Sequence, residues 1–551
     1  MKFSSRFRHE QANEIRDWCM ADASDRGDFY HKCRHGFRYG SRDVDMARHN
    51  KIKPIIKQLA SFLYAPECVT FWPHFPADEL EHLDKSEALS EMINDSWDDS
   101  GINLLCYSAV EEALICGSSF VSLLPERLTD GGVAMVARMV PPECVGVLRP
   151  DIPELSLQQA IAWETYLTKP EIEARIQFKP PREQARIIES LETMNMGGVE
   201  SDRVFVANYS GISSGNSESG LVMSRLGGGF HYNPHTAVGL YKVTNLFCYD
   251  DDIGDWNWFL VSGPNVISDL RLARVGVPGL VPIIKISADI IPTYFYGYSQ
   301  VDGLSLLQDW QSKRLIQMDD LFEKILCPPK IGYGMGQIRE SKIASLNRAR
   351  SYTSVPNPSA KIEELKPELP EIAFTMLEAM DQMFLEAAEM QESQFGKSQP
   401  GLRSRDMQQT ALRTGASPTK VKAMTVEKNL QDLATMLLRY KMRYDAGLYP
   451  IYNDDGVFSG TFFRPAELPD GVVCKVDGHS SSPLFMDDNA RLAENLFKAG
   501  AMDGETLIMF THPPRMELLL KRQKRRNQAQ LIAQAIQKLK QQQKRQGDPE
   551  K

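Results

Sequence analysis

No run in this chain approaches the roughly eighteen apolar residues of a membrane span, and Met1 to Arg6 lead into no apolar signal core. Both absences are what is expected of a protein made and kept in a cytoplasm, with no membrane partner. The nine cysteines are odd in number and form no CxxC pair, which fits a reduced compartment and argues against structural zinc. No GxxxxGK[ST] loop occurs, and Gly332-Tyr-Gly-Met-Gly336 lacks the GxGxxG spacing, so a nucleotide-driven motor has no sequence support. No internal repeat is visible. Positive charge is in deficit as well: the formal net charge is −9, which argues against gripping nucleic acid over most of the surface, because tight binding needs many phosphate-neutralising cations.

What is present is ordinary in bulk. Hydrophobic residues at 42% and charged residues at 25% suit a soluble globular protein, and 551 residues leave room for several cores. The expected fold class is α+β, mainly helical. The charge is uneven, however. Lys521, Arg522, Lys524, Arg525 and Arg526 cluster in a basic segment that runs from Arg515 to Lys544. That cluster reads as a solvated helix face, a nucleic-acid contact or an interface charge, and no aromatics interleave with it to stack single-stranded bases.

Candidate chemistry is sparse. Gly211-Ile-Ser213-Ser-Gly215 matches the GxSxG nucleophile elbow and follows a plausible strand at Arg203 to Tyr209. The elbow needs a helix next, whereas the chain continues into Asn216-Ser-Glu-Ser-Gly220, which is turn material within the Gly- and Ser-rich stretch Ser210 to Gly229. A serine hydrolase using Ser213 with His231 or His235 stands as an alternative. The same two histidines are poor metal ligands as a pair, since Pro234 disfavours the helix that would align them. Asp250, Asp251, Asp252 and Asp255 read as a solvated acidic turn from Tyr249 to Asp255 ahead of a cation site. No catalytic residue, cofactor or metal site is therefore expected.

The organising stretch is Gly297 to Ala446. Val301 to Leu326 carries Leu315, Met318, Phe322 and Ile325 at helical steps and stops at Cys327-Pro-Pro. After Pro367 and Pro370 a second helix is predicted, with Ile372, Met376, Met380, Met383, Ala387 and Met390 down one face as adaptable packing. Between them lies a Pro- and Gly-rich excursion too long for an ordinary helix connection. The polar, glycine-broken stretch Gln391 to Ser404 reads as a loop, and Arg405 to Ala446 as one long helix kinked at Gly415 to Pro418.

Around this hairpin the chain alternates. Helical patterns are predicted from Gln11 to Tyr39, over Ala47 to Tyr64 (interrupted by Pro54) and over Ile102 to Cys116. Strands are predicted at Cys68 to Pro73, Ser119 to Leu124, Leu240 to Leu246, Trp258 to Val261 and Pro282 to Ile286, and within Ile451 to Val476. Asp487 to Phe497 and Pro514 to Gln543 read as helices.

The order of parts from Tyr296 to Tyr444 resembles the portal proteins, or head-tail connectors, of tailed bacteriophages. Tyr296 to Trp310 looks like their approach to the first stem helix, Ile325 to Ile331 like the exit into the clip, and Gln399-Pro-Gly-Leu-Arg-Ser404 like the tunnel loop ahead of its helix. Asn50 to Pro66 and Tyr107 to Leu124 resemble elements of the portal wing. The resemblance covers about two thirds of the chain and is loose over Val133 to Leu280.

The resemblance implies a ring, commonly of twelve copies, at one capsid vertex of the virion, assembled in the host cytoplasm. Double-stranded DNA would be packaged and ejected through its axis. The implied partners are the terminase large subunit, head-tail adaptor and tail proteins, and the major capsid and scaffold proteins. Residues 1–296 would form an α+β wing, 297–326 the first stem helix, 327–366 the clip, 367–391 the second stem helix and 392–404 the tunnel loop. Residues 405–447 would be the long kinked helix, 448–484 a strand-rich return to the wing, and 485–551 a helical crown with the basic tail. Clip strands would find their partners in neighbouring subunits. A channel that lets DNA slide must not hold it. On that ground Lys397, between Gly396 and Ser398, is the foremost channel cation, followed by Arg403 and Arg405, with loop solubility or a subunit ion pair as the competing role. A helical scaffold without a DNA role is the remaining alternative.

Overall fold

The computed structural model describes residues 9–40, 49–66, 69–75, 85–127, 133–177, 179–197, 240–271, 276–326, 330–333, 361–364, 372–390, 417–452, 458–469 and 471–476, with isolated positions at 359 and between 493 and 507. The fold is mixed α+β, mainly helical, with several small antiparallel sheets. Ser210 to Gly229, Ser213, His231, His235 and the strand predicted at Arg203 to Tyr209 lie outside the described residues, as do most of the helix predicted from Asp487 and all of that from Pro514.

Helices α1 (His9–Cys19) and α2 (Ala23–Tyr39) open the chain. Helix α3 (Ile52–Leu63) buries Ile52, Ile55, Ile56, Leu59, Ala60 and Leu63, the stripe its periodicity predicts. Pro54 does not interrupt it. It sits in the first turn, where a backbone N–H has no intrahelical acceptor and proline removes nothing. Strand β1 (Phe71–His74) is followed by α4 (Ser86–Asp99) and α5 (Ile102–Cys116). α5 buries Ile102, Cys106, Ala109, Val110 and all of Ala113 to Cys116, while Leu104 is 72% exposed.

The first sheet has the order β3-β2-β9, with β2 at Ser119–Arg127, β3 at Val133–Val140 and β9 at Ile283–Ile286. The second is a five-stranded antiparallel meander of β4 (Val145–Val147), β5 (Ala160–Thr168), β6 (Leu240–Asp250), β7 (Asp255–Ser262) and β8 (Asn265–Arg271). Alternation along β5 and β6 separates its two faces. Ala160, Ala162, Leu246 and Cys248 meet Ala12, Ile15 and Cys19 of α1. On the other face Trp163, Phe247 and Trp258 stack across three strands, with centroids 4.8 and 5.6 Å apart. Helices α6 (Lys169–Ile176) and α7 (Pro181–Gly197) cover the far end of the sheet through Ile172, Ile176, Ile187 and Leu191.

The turn between β6 and β7 is shorter than the sequence suggested, because the strands run to Asp250 and resume at Asp255. Its acids are used within the fold. The buried Asp250 carboxylate accepts from the Asp252 N–H at 3.0 Å and from Asn257 Nδ2 at 3.3 Å, and Asp255 accepts from the Gly279 N–H at 2.9 Å.

A long helix, α8 (Gln300–Leu326), leaves this body. The chain then forms β10 (Lys330–Tyr333) and β11 (Lys361–Glu364) and comes back as α9 (Ile372–Ala387). Helix α10 (Ser417–Tyr444) crosses the core, burying Ala423, Val426, Leu430, Leu433, Ala434, Leu437 and Leu438. Pro418 falls in its first turn, so no kink occurs within the described helix; residues 405–416 are outside the described set. Strands β12 (Tyr449–Tyr452) and β13 (Phe458–Phe463) form a hairpin, and β14 (Val473–Val476) pairs antiparallel with β1, some 400 residues upstream. Both outer edges of that pair are closed by side chains. The Phe71 N–H donates to Asn94 Oδ1 at 2.9 Å, and the Cys474 N–H donates to Thr435 Oγ1 at 2.9 Å.

Candidate functional site

The feature that stands apart is the helical hairpin formed by α8 and α9. A 27-residue helix is about 40 Å long. Its first half is embedded: Gln300, Val301, Leu304, Ser305, Gln308, Gln311 and Ser312 are buried, and from Lys313 onward no residue of α8 is. Apolar side chains nevertheless continue. Phe322 is 42% and Leu326 80% exposed, and nearer the body Leu306 is 69% exposed. On α9 the buried face is Met380, Phe384 and Ala388, with Met390 just beyond. This corrects the predicted stripe, which included Met383 and Ala387; Met383 is 41% exposed. The contact follows the i, i+4 ridge through Phe384, and a 3-4-3 reading of the methionines drifts off it by one residue.

The root of α8 is fixed by backbone contact. Gly117, at the end of α5 with φ +92°, lies so close to Gly297 that a Cβ on either would overlap the other's carbonyl. Ser299 caps α8 by accepting from the Asp302 N–H at 3.1 Å, and its hydroxyl donates to the Ile115 carbonyl. Above this root the seam turns polar. Gln308 donates to the His49 carbonyl at 2.7 Å and accepts from the Lys51 N–H at 3.0 Å. Gln311 donates to Asp381 of α9 at 3.1 Å, and Lys51 forms an ion pair with the same carboxylate. Helix α3 thereby begins against both arms of the hairpin.

The other end of α9 meets the start of α10. The α9 helix ends in a Schellman motif: the Met390 N–H donates to the Leu385 carbonyl at 2.9 Å and the Glu389 N–H to that of Glu386 at 3.0 Å. Glu389 occupies the left-handed position of that motif, at φ 56°, where glycine is usual. The Lys422 ammonium, 3% exposed, lies 3.1 Å from the Glu389 carboxylate and 2.8 Å from that of Asp289. Gln300 donates to Asp289 in turn.

In the stretch expected as the clip, β10 and β11 pair with each other, Lys330 opposite Glu364 and Tyr333 opposite Lys361, so one partner of each strand comes from its own chain. Lys397, Arg403 and Arg405 lie outside the described residues, on the stretch between Met390 and Ser417. Lys521, Arg522, Lys524, Arg525 and Arg526 are also outside them. Neither group can be placed against the hairpin.

Two groups escaped sequence reading. Lys422 occupies a core position in the stripe Thr419, Ala423, Val426, Leu430; a lysine at such a position was the readable signal. Arg34 of α2 joins Glu112 of α5 at 2.8 Å and holds Glu143 through two bonds of 3.0 and 2.9 Å, in a pattern that no local spacing announces. Beside it a cleft of about 360 Å³ is lined in part by His31, His35, Arg38, Lys53, Glu111 and Met139. Among the described residues no group of three His, Cys, Asp or Glu side chains is arranged to hold a metal ion, and no helix is long and apolar enough to cross a membrane.

No family model matches the chain, and no curated protein matches it. Among solved structures it is similar to a chain from the virion of a native gene transfer agent particle, at 11% identity over 90% of this chain and 94% of that one, with a TM-score of 0.40. A likeness at that level supports no argument about function.

Proposed function

We propose that this chain is a non-enzymatic, ring-forming portal subunit, a conduit for double-stranded DNA at a capsid vertex. The observation that carries the reading is the hairpin. Its outer half leaves the body with exposed apolar side chains on both arms, Phe322 and Leu326 on α8 and Phe374 on α9, at 42%, 80% and 49% exposure. Two helices cannot cover all their faces alone, whereas a closed cylinder of copies lets each hairpin pack on the next. The order of helix, strand pair, helix and long core-crossing helix is the order of parts expected of such a subunit.

In this reading Lys397, Arg403 and Arg405 face the channel as a few cations on an acidic protein. The cluster from Lys521 to Arg526 belongs to a crown inside the capsid. The ring docks terminase and later the adaptor and tail proteins. Electron microscopy of the purified full chain tests the reading. Class averages with a central hole and rotational symmetry are expected, and a monomer or an open filament would exclude it. Lys397→Ala should leave the ring intact and alter DNA packaging or retention. Unchanged packaging would remove Lys397 from the channel while leaving the ring standing.

A further inference from the structure

Every segment that enters or leaves the hairpin converges on one ammonium. Asp289 stands on the lead-in to α8, and Gln300, the first residue of α8, donates to it. Glu389 ends α9, and Lys422 lies in the second turn of α10. The surrounding bonds reinforce the same junction: Thr419 donates to the Glu389 carbonyl at 3.4 Å, Asn429 donates to the Ser287 carbonyl at 3.1 Å, and the Tyr298 N–H donates to the Asp289 carbonyl at 3.2 Å.

The backbone at Glu389 makes this more than a stray ion pair. A Schellman turn is most easily made with glycine, because a side chain at positive φ crowds the following carbonyl. A glutamate tolerates the position only when its surroundings hold it there. Here the holding contact is the ion pair with Lys422, whose buried ammonium lies between carboxylates from two separate elements. The one cation sits between both carboxylates, so it ties the end of α9 to the lead-in of α8 through α10 as a single coupled unit.

We propose that Lys422 and Glu389 form a latch that locks the returning arm of the hairpin to the body, with the strained Glu389 turn as the element it holds. The latch is a property of the single chain and stands whether or not the chain forms a ring. Its function is to fix the direction in which the hairpin projects, by tying the end of α9 and the start of α10 to the loop that launches α8.

Hydrogen exchange followed by mass spectrometry on the full chain tests it. Lys422→Met and Glu389→Gln should each speed exchange at residues 385–390 and 417–424 by about tenfold or more, with α5 unchanged, and the double variant should add nothing further. Glu389→Gly separates strain from latch. It should keep the turn folded, with the Met390 amide still protected, yet free residues 417–424 as the other variants do. The proposal fails if the single-variant factors multiply, if these segments exchange as in the wild type, or if faster exchange spreads to α5. Should Lys422→Met not fold, the two Glu389 variants, at a half-exposed side chain, still decide it.

Discussion

The body and the hairpin solve the burial problem differently. In the body α3, α5 and α10 share one apolar cluster with α4, β1 and β14, and Trp97, Tyr64 and Leu437 are almost wholly removed from water. Two of its large buried rings share one polar partner: Tyr64 and Trp97 both donate to Asn103, at 2.9 and 2.6 Å. In the hairpin the buried seam is short, its centre is Gln308, Gln311 and Ser312, and the outer half keeps apolar side chains in solvent. The body buries its apolar side chains within the chain; the outer hairpin keeps several of its own in solvent. On the proposed reading, that contrast separates the part that sets stability from the part that sets association.

The sharpest way to break the comparison is in the body. Trp97→Ala, which removes a ring packed 4.6 Å from Phe71, should lower unfolding stability by about 3–5 kcal/mol in urea titrations. A loss as small as that expected of a surface site would put the centre of the body elsewhere. Next comes Arg34→Met, which leaves the buried Glu143 without its bidentate partner and should cost about 3 kcal/mol by the same measurement. Suppression by a second change, Glu143→Met, would identify the stranded carboxylate as the cause.

Lys285 gives a pH-dependent test. Burial lowers its pKa to about 8, although its ammonium donates to the carbonyls of Pro153 at 2.6 Å and Phe295 at 3.0 Å. Between pH 8 and the unfolded value near 10.5 the unfolded chain holds more protons than the folded one, so stability from this group rises with pH across that window. Relative to Lys285→Met, the wild type should gain on the order of 2 kcal/mol between pH 8 and pH 10.5. A flat difference between the two proteins would show that the carbonyl bonds keep the ammonium at its ordinary value.

The smallest effect on stability is predicted where association is most at stake. Phe322→Ser and Leu326→Ser should change the unfolding free energy of the single chain by no more than about 0.5 kcal/mol. If the proposed ring forms, the same pair of changes should abolish the higher-mass species that light scattering is expected to detect for the wild type. An equal loss of stability and assembly would mean that the outer hairpin belongs to the body's core after all.

Much of the local structure was legible. The helix from Ile102 to Cys116 has the limits its sequence predicts, and the helix expected from Val301 to Leu326 begins only one residue earlier. Periodicity reports a helix reliably when its apolar stripe faces one neighbour. On α9, where three methionines offer two nearly equivalent stripes, it chose Met383 over Phe384, and only packing decides between them. Pairings across long separations were not legible at all. Nothing near Phe71 announces Val476, and Arg34, Glu112 and Glu143 are brought together from three elements by the core they border. Of the residues given proposed roles, Lys397 and its companions rest on the sequence alone, whereas the carboxylates that meet Lys422 come from distant segments that only packing brings together.

The pairing of β14 with β1 has a consequence for the order of events during synthesis. The body can close only when residues 473–476 are available to lie beside Phe71 to His74, and by then both arms of the hairpin have already left the ribosome. The sticky outer arms are therefore exposed before the structure that orients them is complete. On the proposed reading, a chain arranged this way gains from translation that is quick between the second arm and residue 476, and a pause there would favour premature contact between nascent copies.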